Sequence, residues 1–321
     1  MTGRIHSIQS LGAVDGPGVR CVIFMQGCPL RCVYCHNPDT WDTAGGEEID
    51  ADELVRRVLR YQPYWKNGGG VTVSGGEPLL QAAFVEEFFR KLHEHGVHTA
   101  LDTSGTGCSA AAAERVLRHT DLVLCDLKFL TAGDYRRYCR AELSQVERFL
   151  QMTAMKRVPL WVRHVVVPGL TDSIEHLRLV KAHAERYPNL EKIEFLPFHK
   201  LCIEKYDRMG IDFPLRDTPA MNEAWLKQLL EKLKRQNTKH VQMHVLFLLS
   251  VGWMWPAAVC ASTRVKRETV SSVPSPAACR RSVLHSGAYS PRLPQPHLHG
   301  RARPRSSCAY VPAPCKPQKS V

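Results

Sequence analysis

The sequence has no apolar segment near its start. It opens MTGRIHSIQS, so nothing there reads as a secretory leader. The 12 cysteines are therefore expected as thiols or metal ligands in a reducing cytoplasm, not as a disulfide scaffold. A long hydrophobic run is also missing. The most apolar late stretch, Val245–Cys260, is short for a span and is interrupted by Gly252 and Pro256, so no membrane role is expected. Acidic residues are nearly absent from one end: from Val251 to Val321, eleven Lys and Arg face Glu268 alone. Since all 321 residues hold 43 Lys and Arg against 31 Asp and Glu, the body is close to neutral and the basic character belongs to the end. That excludes taking the whole chain for a nucleic-acid binder on its net charge. The same end carries 10 of the 21 prolines, and none of its four aromatics adjoins a basic residue. A globular domain over 1–245 followed by a disordered basic extension over 246–321 is the expected organisation.

The body alternates two patterns. Apolar, β-branched runs occur at Val19–Met25, Val71–Val73, Thr99–Asp102, Leu122–Leu127, Leu160–Val167 and Ile193–Phe198. Helix-period stretches occur at Ala51–Arg60, Gln81–His95, Ala110–Arg118, Ser144–Lys156, Ser173–Arg186 and Met221–Arg235. In Gln81–His95, the residues Phe84, Val85, Phe88, Phe89 and Leu92 share one face, and Gly96 stops the helix. Six such alternations predict an α/β fold with parallel strands and crossover helices. An open doubly wound sheet and a partial barrel fit the pattern equally. In both, function belongs at the carboxyl ends of the strands.

The first strand leads into Gly27-Cys28-Pro29-Leu30-Arg31-Cys32-Val33-Tyr34-Cys35-His36. Three cysteines spaced C-x3-C-x2-C on one loop can converge on a single centre. A four-iron cluster normally takes four cysteines, so three would leave one iron open to a substrate or cofactor. Covalent haem attachment at Cys32-Val33-Tyr34-Cys35-His36 leaves Cys28 unexplained. A Cys3His zinc site must use His36 directly beside Cys35, which is poor geometry for one tetrahedron. Three inert thiols within eight residues are uncommon. The open-iron cluster is favoured, with a non-catalytic metal or haem module as the reading from another class. Cys21, Cys108, Cys125, Cys139 and Cys202 lack ligand spacing and read as core or surface thiols.

Further along, Ser74-Gly75-Gly76-Glu77 ends a strand with a glycine pair that lets backbone approach a ligand, and Glu77 could accept from an ammonium. Asp102 and Asp126 end neighbouring strands, where two carboxylates could build a hard cation site. Arg163 stands in an apolar strand and should face a polar mouth, because an unpaired buried charge is costly.

With an aromatic before its third cysteine, the motif resembles radical S-adenosylmethionine (SAM) enzymes. The segments GRIHSIQSLGAVDGPGVR, FMQGCPLRCVYCHNPDTWDT, GGGVTVSGGEPLLQ, LDTSG, DLVLCDLK, VRHVVVPG and IEFLPFHK resemble, in order, the pyruvate formate-lyase activating enzymes over most of residues 3–240. The resemblance implies a partial (β/α)6 barrel. It also implies a [4Fe-4S] cluster on Cys28, Cys32 and Cys35, SAM at the open iron, and a 5′-deoxyadenosyl radical that takes a glycine Cα hydrogen from pyruvate formate-lyase or another glycyl-radical enzyme. By the same resemblance, Gly76 meets the SAM amino group, and Asp126, Leu127 and Lys128 lie at its carboxylate. Tyr34, Cys35, His36 and His199 lie at its adenosine. A monovalent cation is implied at Asp102, Thr103, Leu124 and Asp126, with Asp15 and Arg163 as candidates near substrate. A one-electron donor such as flavodoxin or ferredoxin is implied, as is a monomeric state. No further cysteine sets suggest a ferredoxin-like insert.

Overall fold

The computed structural model describes residues 1–66 and 68–235. The expected extension, and the domain boundary near residue 245, lie outside the described residues. Eight strands form one sheet. They are β1 (Thr2–Gly12), β2 (Arg20–Met25), β3 (Glu47–Asp50), β4 (Gly70–Gly75), β5 (His98–Thr103), β6 (Leu122–Asp126), β7 (Leu160–Val166) and β8 (Leu190–Pro197). Their order across the sheet is β3-β1-β2-β4-β5-β6-β7-β8. The pairs from β2 to β8 are all parallel, while β1 pairs antiparallel with β2 and with β3. The six parallel strands lie side by side in chain order. A doubly wound sheet must reverse its strand order at a switch point, and this sheet does not. The topology is that of a partial six-stranded barrel, with an antiparallel pair at one edge.

The connecting helices are α1 (Ala51–Leu59), α2 (Ala82–Glu94), α3 (Ala110–Leu117), α4 (Ala132–Cys139), α5 (Leu143–Lys156), α6 (Ile174–Ala184) and α7 (Ile203–Met209); α8 covers 223–235. α2 buries the five residues of its predicted apolar face, each contributing about 1.5–3 kcal/mol of transfer free energy. It ends at Gly96, whose φ of 65° is cheap only without a Cβ. The starts of α1, α3, α4 and α6 are capped by Asp50, Ser109, Thr131 and Ser173, whose side chains accept the orphan N–H groups.

Four elements were not legible from the pattern: β1, β3, α4 and α7. β1 and β3 form the sheet's antiparallel edge, where burial is uneven, so alternation is weak. α4 buries only Tyr135 and Cys139, one contact per turn.

Strand alternation sorts residues onto two faces. Val71, Val73, Leu101, Val123, Cys125 and Val162 join the large core. Ala100, Leu122 and Leu124 form a separate small cluster with Trp161 on the concave face. Toward the strand ends this face turns polar, through Ser74, Asp102, Asp126 and Arg163. At its base Arg20, fully buried, donates to Thr72 Oγ1 at 2.6 Å, Val71 O at 2.7 Å and His98 O at 3.2 Å. Those acceptors keep the buried guanidinium tolerable. The turn at Val14 and Asp15 folds against the same face: Thr72 Oγ1 donates to Asp15 O at 2.6 Å, and Arg163 Nη2 donates to Val14 O.

Candidate active site

The cysteine loop leaves β2 and is held by backbone and amide bonds. Gly27 N donates to Thr40 O at 2.8 Å, and Gln26 Nε2 donates to Asp42 O at 2.7 Å and Asp39 O at 3.1 Å. The Gly75-Gly76 turn after β4 docks onto it, with Gly76 N to Met25 O and Glu77 N to Gly27 O both at 2.9 Å. A Cβ on Gly76 would stand 2.2 Å from Gly27 O, and Gly75 has φ 110° with a Cβ position 2.3 Å from Met25 N. The glycine pair is thus required by strand-to-loop packing, as well as leaving Gly76 open to the cavity.

That cavity, about 200 Å³, is lined by Cys28, Cys32 and Cys35 together with Gly76, Asp102, Thr103, Asp126, Lys128 and His36. These residues come from three separate strand ends and one loop. Burial pushes the Cys28 and Cys35 thiols up to about 12, so these sulfurs stay protonated until a cationic centre replaces the proton. Protein donors surround them. The Leu30 N–H faces the Cys28 sulfur and the Asn37 N–H faces the Cys35 sulfur. Trp41 Nε1 is buried without a hydrogen-bond partner, and its indole adjoins Cys35. The Cys139 thiol adjoins the Cys32 sulfur, and that neighbour holds the Cys32 thiol below its ordinary value. Three thiols on one loop, ringed by N–H and S–H donors, fit an iron–sulfur cluster. Arg31 is a brace of the loop: Nη1 donates to Cys28 O and Leu30 O at 2.9 and 2.7 Å, and its guanidinium stacks on Trp41 at 4.7 Å.

The polar wall is internally paired. Asp102 accepts from Ser74 Oγ at 2.6 Å and from Arg163 Nη1 at 3.2 Å. Burial and then the neighbouring Asp126 raise its carboxyl, against the pull of Arg163. Lys128 Nζ donates to Asp126 at 2.6 Å. Burial disfavours this ammonium, but Asp126, joined by Cys32, Tyr34 and Cys139, more than offsets that, so its pKa lies well above the ordinary lysine value. His36 stacks on His199 at 4.0 Å and donates Nε2–H to the His199 carbonyl at 3.0 Å. Burial and the second imidazole push His36 down to about 4, so the ring is neutral.

The other expected residues sit differently. Tyr34 lines the cavity, but its hydroxyl points to Lys128 O at 3.4 Å. His199 is exposed at the rim. Leu124 and Leu127 are fully buried and, like Asp15 and Arg163, are not among the cavity-lining residues. Arg163 reaches the wall through Asp102 and also pairs with Glu194 at 3.1 Å. Glu77 departs from the expectation of a free ammonium acceptor. Its carboxylate, 1 % exposed, takes Leu79 N at 3.0 Å, Thr103 Oγ1 at 2.5 Å, Ser104 N at 2.8 Å and Ser104 Oγ at 2.5 Å. All its acceptor sites are spent on stapling the end of β4 to the end of β5. The Thr103 hydroxyl is spent on the same staple.

Comparison with known proteins decides the family. A family model described as a 4Fe-4S single cluster domain matches residues 14–147. A pyruvate formate-lyase-activating enzyme of Clostridium pasteurianum is 47% identical over 237 residues, covering 71% of this chain and 99% of the relative. The chain belongs to the pyruvate formate-lyase-activating enzyme family. A second member, from Staphylococcus aureus, is 42% identical over 235 residues, with 71% and 93% covered. Among solved structures, a radical SAM methyltransferase from Sphaerobacter thermophilus aligns with TM-score 0.50 at 13% identity, over 73% of this chain and 75% of its own. That likeness shows the fold, and it agrees with the strand order described above. Membership also gives the three-cysteine loop its context, since the matched cluster domain contains all three thiols. Cys139, Trp41, Ser74, Ser104 and Glu194 were missed as site neighbours. Ser74 opens the glycine motif but carries no expected role there, and only the fold brings the other four to the loop or the strand ends.

Proposed function

We propose that this chain activates pyruvate formate-lyase by installing a glycyl radical. The observation that carries the reading is the meeting of Cys28, Cys32 and Cys35 with Gly76, Asp102, Asp126 and Lys128 around one cavity in a member of the activating-enzyme family. A [4Fe-4S] cluster with bound SAM supplies the one-electron cleavage of a sulfonium carbon–sulfur bond and the radical that abstracts a glycine Cα hydrogen. Cys28, Cys32 and Cys35 would hold that cluster, and the amino and carboxylate groups of SAM would meet it from the Gly76 and Lys128 side of the cavity. Gly76, lacking a side chain, offers its backbone to the ammonium. Lys128, charged and anchored by Asp126, attracts the carboxylate. The neutral His36 ring, stacked on His199, forms a flat wall for adenine beside the Tyr34 and Cys35 backbone. Leu127 positions Lys128 through its own backbone: Leu127 N donates to Arg163 O, and His164 Nδ1 donates to Leu127 O.

Asp102 and Asp126 face each other's charge at the mouth. A monovalent cation bound there with Thr103 and Leu124 carbonyls would relieve that repulsion. Arg163 holds Asp102 and the Val14–Asp15 turn in place, so it and Asp15 act as positioning residues for the substrate loop. No general base is required. The residues orient the reactants and exclude water and oxygen. The open side of the partial barrel admits a protein loop. The activase domain spans 1–245, acts as a monomer in the cytoplasm, and takes electrons from a one-electron carrier.

The test is anaerobic reconstitution with iron and sulfide. Methionine and 5′-deoxyadenosine release is then measured with and without pyruvate formate-lyase, and the glycyl radical is read by electron paramagnetic resonance. Cys32→Ala should lose the cluster spectrum and both products. A cluster-loaded wild-type protein that leaves SAM intact, or leaves pyruvate formate-lyase without radical, overturns the reading. Truncation after residue 250 should leave both rates unchanged.

A further inference from the structure

A second concavity lies behind the cysteine loop, away from the residues proposed to hold SAM. It is a groove of about 570 Å³ whose wall includes Pro29, Leu30, Cys108, Arg140, Glu142 and Gln145. Leu30 lines both this groove and the cysteine cavity. One side chain, between two of the three cluster cysteines in sequence, therefore separates an outer surface from the cluster chamber. The loop is bonded directly to the adjoining end of α4, with Arg31 N to Cys139 O at 2.8 Å and Val33 N to Tyr138 O at 2.9 Å. A short bonded path thus joins this surface to the cysteine loop.

The charge around the groove is one-sided. Arg136, Arg137 and Arg140 are exposed at the end of α4, and Arg148 is exposed on α5. Arg148 lines a cavity that shares Cys108, Ser109 and Gln145 with the groove. Arg136 pairs with Glu142 at 3.1 Å, and Asp134 takes the Thr131 hydroxyl at 2.7 Å. Arg137 stacks on Tyr138 at 5.1 Å. Among the described residues, Arg137, Arg140 and Arg148 close no ion pair, whereas Arg56, Arg57, Arg90 and Arg115 on other helices do. Arg140 ends α4 in the left-handed region, φ 55°, a conformation costly for a residue with a Cβ.

We propose that this groove and its arginine rim dock an acidic one-electron carrier protein, which passes its electron to the cluster across Leu30 and the Cys28–Cys32 segment. The proposal rests on the cluster assignment made above. The step moves one electron: the reduced carrier is oxidised by one and the cluster is reduced by one, with no proton or bond transferred. Electron-transfer encounters are small and transient, and they depend on steering by opposite charge. Three unpaired arginines beside a groove that shares Leu30 with the cysteine cavity meet those needs. The groove shares only Leu30 with the cysteine cavity, so a carrier there leaves the SAM side of the site to the substrate protein.

The experiment uses full-length, cluster-loaded enzyme and the variant R137E/R140E/R148E. Reduction of the cluster by photoreduced flavodoxin is followed by stopped-flow absorbance at several salt concentrations, beside reduction by photoreduced deazaflavin. The wild-type rate with flavodoxin should fall as salt rises. In the variant it should drop at least about tenfold at low salt and lose its salt dependence. Deazaflavin-driven SAM cleavage should be unchanged. An undiminished flavodoxin rate overturns the proposal. So does a normal flavodoxin rate with a raised KM for pyruvate formate-lyase, which would make the groove a substrate-protein surface. If circular dichroism shows the triple variant unfolded, the single variants R137Q and R148Q must each slow flavodoxin reduction, or the proposal fails. Wild-type enzyme that cannot cleave SAM with deazaflavin would instead refute the cluster reading, which keeps the two failures apart.

Discussion

Glu77→Gln separates a structural carboxylate from a ligand-binding one. In the fold, Oε1 accepts from Leu79 N and Thr103 Oγ1, and Oε2 accepts from Ser104 N and Ser104 Oγ. A glutamine keeps one oxygen and turns an NH2 toward the other pair. The Ser104 hydroxyl can rotate to accept from that NH2, but the Ser104 N–H cannot, so a buried backbone donor is orphaned at about 1–3 kcal/mol. Part of that loss is offset because a buried charge is removed, and burial already raises the Glu77 carboxyl. A net loss of about 2 kcal/mol follows, which lowers Tm by about 4–8 °C for a body of this size. Thermal unfolding of metal-free protein measures it, and SAM cleavage by the reconstituted variant supplies the second readout. The staple reading requires the Tm to fall while KM for SAM moves less than about tenfold. An unchanged Tm with a large rise in KM for SAM would refute it and return Glu77 to the ammonium.

Other changes have equally definite outcomes. Arg163→Met leaves Asp102, 14% exposed, without its cation, while Glu194 keeps Lys192 Nζ at 2.7 Å. It should cost about 3 kcal/mol in urea unfolding, with Arg163→Lys restoring part. Trp41→Phe removes a buried indole N–H that adjoins Cys35 and has no other partner. A bond from that N–H to a cluster sulfur, worth about 1 kcal/mol to the reduced state, would on its loss lower the cluster potential by about 40 mV in a spectroscopic redox titration, and an unchanged potential excludes such a bond. His164 is held neutral, its pKa pushed down to about 4, chiefly by burial. The unfolded chain takes up that proton below about pH 6.5. Its contribution is therefore complete above pH 6.5 and is lost as pH falls toward 4. Asp15, Asp102 and Glu77, raised by burial, act in the opposite sense. The histidine part is thus the difference between wild type and His164→Asn, whose Tm should decline less over that interval.

The sequence by itself determined the six parallel strands, the apolar face of α2 and the three-cysteine loop. Each is written in local spacing: period two, period 3.6, or C-x3-C-x2-C. It could not separate a doubly wound sheet from a partial barrel, because both use the same alternation and differ only in which strand lies beside which. Strand order decided that. The fate of Glu77 was equally hidden. Its motif is a turn with a carboxylate, and only the arrival of Thr103 and Ser104 from the next strand end consumes all four acceptor positions. Cys139 and Trp41 carry no motif either, yet folding brings both to cluster sulfurs. The arginines around the second groove come from α4 and α5, where the sequence shows only scattered charge. Motifs record chemistry made by neighbours along the chain, whereas partners far apart in sequence meet only when the strands and helices pack.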